Sequence, residues 1–78
     1  MKAKIIKEIC GEIKRLNEKV RIREARIGEL ATDLQYHLLF GNKETANKYS
    51  KFIFNHQEAI EDLKQKRVIL LANFKKVA

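Results

Sequence analysis

The sequence predicts an all-α fold: an antiparallel two-helix coiled-coil hairpin that completes a four-helix bundle by dimerisation. Three observations lead there. Apolar residues recur at alternating steps of three and four over two long stretches, a single Gly-Asn pair separates the stretches, and proline is absent. A chain of 78 residues, 45% hydrophobic and 35% charged, is expected to be one domain over 1–78 and is short for a self-sufficient core. Cys10 is the only cysteine, so no disulfide can form within the chain, and self-association is the expected source of further burial.

In the first stretch Ile6, Ile9, Ile13, Leu16 and Val20 are followed, after Arg23 at the next repeat position, by Ile27, Leu30 and Leu34. This seam predicts one helix over about residues 3–40. Gly11 and Gly28 each cost about 1 kcal/mol relative to alanine, and Thr32 with Gln35 has the spacing of a capping box. Any break is therefore expected near 28–32, but no turn cluster precedes Thr32 and the repeat runs through it. Gly41 suits the left-handed position after a helix and Asn42 suits an N-cap, which places a tight turn at 41–42. Beyond it Tyr49, Ile53, His56, Ile60, Leu63, Arg67, Leu70, Phe74 and Val77 keep the same steps and predict a second helix over about 43–76.

Folding the chain at 41–42 opposes residues whose numbers sum to about 83, and seam meets seam throughout. Leu34 faces Tyr49, Leu30 faces Ile53, Ile27 faces His56, Val20 faces Leu63, Ile13 faces Leu70 and Ile9 faces Phe74. Arg23 falls opposite Ile60 and Leu16 opposite Arg67, with Glu61 expected to reach Arg23 and Glu12 to reach Arg67. The arms should be about 50 to 57 Å long.

One stripe per helix leaves Ile5, Cys10, Ile22, Leu38 and Leu39 uncovered on the first arm, and Phe52, Phe54, Val68, Ile69 and Leu71 on the second. The segment from Val68 to Ala72 is apolar almost all round and calls for another layer of protein. A homodimer would supply it, as would a third helix made by the first arm bending back, or a dedicated partner. Phe52, Phe54, Val68, Ile69 and Leu71 form the expected protein interface.

The net charge of +7 is local. Residues 1–16 sum to +3 and residues 64–78 to +5, so the excess lies at the open end, while 17–41 sum to zero and 42–63 to −1. Lys2, Lys4, Lys7, Lys14, Arg15, Lys64, Lys66, Lys75 and Lys76 are the expected contacts for nucleic-acid phosphates or for an acidic protein. Readers of base edges are few there (Arg15, Asn17, Gln65, Asn73), and Phe74 is claimed by the seam, so any nucleic-acid contact would be to the backbone. Lysines in the last turns equally serve the helix dipole and solubility.

Chemistry-bearing residues are sparse. The chain has no Gly-rich phosphate loop, no cysteine pair and no Gly-x-Ser-x-Gly. His37 and His56 fall several turns apart, which argues against a shared metal, and His56 at a seam position reads as a polar spacer. Cys10 beside the seam reads as a small buried hydrophobe. The carboxylate pairs Glu8 with Glu12, Glu29 with Asp33 and Glu58 with Asp62 read as a solvated face. No catalytic, cofactor-binding or metal-ligating residue is assigned. The longest apolar run, Val68 to Ala72, is far below the roughly 18 residues of a membrane span, and the basic start lacks a continuous apolar stretch of the secretory kind. One free cysteine fits a reducing, cytoplasmic setting. The expectation is a small non-enzymatic binding protein, an adaptor, inhibitor or regulator of phage or mobile-element type, that occludes or bridges a macromolecular partner. The alternative is a basic hairpin that grips a phosphate backbone with its open end.

Overall fold

The computed structural model describes residues Lys2–Val77, which form two helices, α1 (Lys2–Phe40) and α2 (Lys43–Val77). They lie side by side as a hairpin of 59 × 14 × 11 Å with a radius of gyration of 17.6 Å. The repeat positions explain why. Labelling the heptad so that Ile6, Ile13, Val20, Ile27 and Leu34 are a and Ile9, Leu16, Arg23, Leu30 and His37 are d, every one of these is buried or half-buried. On α2 the same holds for Ala46, Ile53, Ile60, Arg67 and Phe74 at a and Tyr49, His56, Leu63, Leu70 and Val77 at d. Ile9, Leu16, Val20, Leu30, Ala46 and Ile60 form the core, and among the described residues no side chain is wholly enclosed, because two helices can shield only one stripe of each other.

α1 runs unbroken through 28–32. The Thr32 hydroxyl donates to the Gly28 carbonyl at 3.1 Å, so it bonds backward within the helix rather than capping a new one. Among the described residues there is no third helix, and the first arm does not bend back.

The turn falls at 41–42, with a different role for its glycine. No described residue has a positive φ, so Gly41 is not in the left-handed conformation. It still closes α1, its N–H donating to the His37 carbonyl at 3.0 Å. Glycine is needed there for space: a Cβ would stand 2.6 Å from the His37 Nδ1 and 2.9 Å from its Cα. Asn42 caps α2 as expected, its Oδ1 accepting from the Glu44 N–H at 2.7 Å while its carbonyl accepts the first helical bond from the Ala46 N–H at 3.1 Å.

The seam arginines find neutral partners. Arg23 Nη1 donates to His56 Nδ1 at 3.1 Å, and because arginine has no acceptor this ring nitrogen carries no proton. Arg67 Nη1 donates to the Asn17 Oδ1 at 2.8 Å. The expected contacts to Glu61 and Glu12 are not made: each arginine bonds a neutral polar group of the other helix instead, and Glu12 is engaged by Arg15 at 3.3 Å on its own helix. Cys10 is exposed and not a core residue, since a position beside a two-helix seam has nothing above it.

Candidate interaction surfaces

The positions flanking the seam make two unlike surfaces. On one flank lie the c and g positions of both helices. Here two open grooves, of about 920 and 340 Å³, run along the middle of the hairpin and share Arg23, Arg26 and His56. Ile22, Ala59 and Leu63 contribute apolar wall to the larger, and Leu30 and Phe52 to the smaller. Charges of both signs are present on this flank: Arg15, Lys19, Arg26, Lys48, Lys66 and Lys76 stand with Glu8, Glu12, Glu29, Asp33 and Asp62. Arg15 is held by Glu12 at 3.3 Å and Arg26 by Glu29 at 2.7 Å, both exposed pairs worth little to stability.

Toward the turn the same flank carries a run of aromatic rings that sequence reasoning missed. His37 stacks on Tyr49 across the hairpin, centroids 5.1 Å apart and planes at 18°. Tyr36 meets His37 edge-on at 5.4 Å and Phe40 at 5.6 Å, while Tyr49 meets Phe52 at 6.4 Å. Tyr36, Phe40 and Phe52 remain more than half exposed, Phe40 at 76%. The spacing signal was present: Tyr36 and Phe40 are four apart, and Tyr49 and Phe52 three apart, each pair therefore sharing a helix face.

The opposite flank holds the b and e positions. It is basic, with Lys7, Lys14, Arg21, Lys43, Lys64 and Lys75 against Glu24 and Glu61. Arg21 is bound by Glu18 at 2.6 Å, which holds its guanidinium above the usual arginine range through that hydrogen bond and the paired charge. Exposed apolar side chains here are Leu38 and Phe54 near the turn and Val68 and Leu71 near the open end, with Cys10.

The expected interface residues are thus all exposed but not one patch. Phe52 and Ile69 belong to the grooved flank, and Phe54, Val68 and Leu71 to the basic flank. The phenylalanines also lie about 20 Å along the axis from the 68–71 cluster. The nine basic residues of the open end are all exposed, and among the described residues only Arg15 of these is engaged by an acid. The paired carboxylates Glu8, Glu12, Glu29, Asp33, Glu58 and Asp62 are exposed too. Among the described residues no group of three or more His, Cys, Asp or Glu side chains converges, and no helix is long and apolar enough to cross a membrane.

The exposed area is large for the chain. The hairpin shows 6329 Å² to solvent, whereas a compact monomer of this mass shows about 4900 Å². The difference, roughly 1400 Å², exceeds the about 800 Å² that each partner contributes to a standard interface. Compared with family models, curated proteins and solved structures, the chain matches none.

Proposed function

We propose that this chain is a small non-enzymatic binding protein whose hairpin self-associates, completing a four-helix bundle, and acts by occluding or bridging a macromolecular partner. The observation that carries the reading is the uncovered apolar surface: two helices with a seam filled from Ile6 to Val77 still leave Tyr36, Leu38, Phe40, Phe52, Phe54, Val68, Ile69 and Leu71 outside. Large apolar side chains in that number on so thin a molecule favour association over solvation. The exposed lysines of the open end add attraction for acidic partners. Sedimentation equilibrium at tens of micromolar tests the self-association: a dimer mass is expected, and a monomer at that concentration defeats it.

A second reading is favoured by the nine exposed basic residues at the open end, from Lys2 to Lys76, which can neutralise phosphates without reading sequence. Gel-shift titration at two salt concentrations decides it. Binding that falls steeply with salt supports the reading, and no shift at low salt removes it.

A further inference from the structure

The self-association proposed above leaves open which flank the second copy covers and which way it points. We infer that a second copy docks on the grooved c/g flank with its long axis reversed, α1 over α1 and α2 over α2, leaving the basic b/e flank to the macromolecular partner.

Charge separates the flanks. On the b/e flank six cations face two anions, so two such surfaces brought together repel. On the c/g flank six cations are matched by five anions, so a copy of itself is an acceptable counter-surface. This flank also holds both grooves, into which side chains of another helix pair can pack.

Direction follows from the ends. The open end carries the whole net charge, so a parallel pair sets two strongly cationic ends side by side, whereas reversal sets each beside a nearly neutral turn half. Reversal also brings apolar groups into register. With Ile22 over Ile22 on the two-fold axis, Phe52 falls over Ile69 of the other copy, Phe40 over Ile5, and Arg15 over Glu29. Lys19 comes over Arg26 and Glu12 over Asp33, like-charge meetings offset by Glu29, which holds Arg26 at 2.7 Å, and by Arg15, which holds Glu12 at 3.3 Å.

The native Cys10 gives the test, being the only cysteine, exposed, and on the flank that stays free. A nitroxide attached there should give an intermolecular distance of about 40 to 45 Å by pulsed electron resonance in the reversed dimer, against roughly 20 to 30 Å in a parallel one, where only the thickness of the bundle separates the labels. Two neighbouring substitutions then identify the flank. Ile69→Glu should weaken the dimer at least 10-fold by sedimentation, while Val68→Glu on the other flank should change it less than about 3-fold, both with unchanged helicity. A dimer with the short distance, or one broken by Val68→Glu and spared by Ile69→Glu, overturns the inference while the self-association stands. A monomeric mass with no dipolar coupling overturns both.

Discussion

The same substitution at two glycines should have opposite effects. Gly28 lies within α1 with nothing within 4 Å of where a Cβ would be, so Gly28→Ala removes only the backbone entropy cost of glycine in a helix. The gain is about 1 kcal/mol, which for a chain of this size raises the melting temperature by roughly 4 to 8 °C. At Gly41 the added methyl meets the His37 ring at 2.6 Å, its Cα at 2.9 Å and its carbonyl oxygen at 3.1 Å. The ring is held by its stack on Tyr49, and the Cα can retreat only by opening the last turn of α1. Overpacking of this kind costs about 1 to 3 kcal/mol, so Gly41→Ala should melt clearly below the wild type. Far-UV circular dichroism melts at one fixed protein concentration measure both, since an associating chain melts at a concentration-dependent temperature. Gly41→Ala melting at or above the wild type refutes the steric account of the turn, and Gly28→Ala melting below it refutes the unhindered straight helix.

Three further outcomes are expected. Asn42→Ala should cost about 1 kcal/mol in the same melts, because the Glu44 N–H loses its acceptor; an unchanged melting point would show that the cap contributes nothing. Arg67→Leu should raise thermal stability by replacing a half-buried cation with seam hydrocarbon, while broadening the distribution of oligomers seen in sedimentation; a lowered melting point with unchanged oligomer size goes against it. Cys10 should react with a thiol reagent in the folded protein about as fast as a small-molecule thiol, and protection lifted only by denaturant would contradict its exposure.

The helical hairpin was legible in the sequence because its one organising force, burial of a stripe, writes itself as a period of three and four. That period even located Arg23, His56 and Arg67 in the seam, where their chemistry alone would not have put them. Ala46, the most buried residue at 2% exposure, was passed over because a lone alanine carries little hydrophobic signal, although it lies one repeat step before Tyr49. The arginine partners were misjudged because charge suggested acids. At the seam the acceptors they bond are His56 and Asn17, and Glu12 is engaged on its own helix. Cys10 and the five apolar interface residues were read from hydrophobicity without their place around the helix, so burial was expected for the first and a single patch for the rest. The aromatic run near the turn depends on rings from both helices meeting across the seam, which a stripe-by-stripe reading does not bring together.

The uneven distribution of charge along a rod 59 Å in length gives the single hairpin a polarity: a cationic end and an aromatic end, many Debye lengths apart, so that a charge brought to one is screened from the other. Two hairpins paired head to tail lose that polarity. The rings lie on the covered flank, so each extremity of the pair then offers the lysines of one copy beside Leu38 and Phe54 of the other, and the assembly becomes bivalent for a single kind of ligand. Such an object cannot mark direction on a partner, but it can hold two identical sites at a fixed spacing, and a first attachment would raise the local concentration for the second.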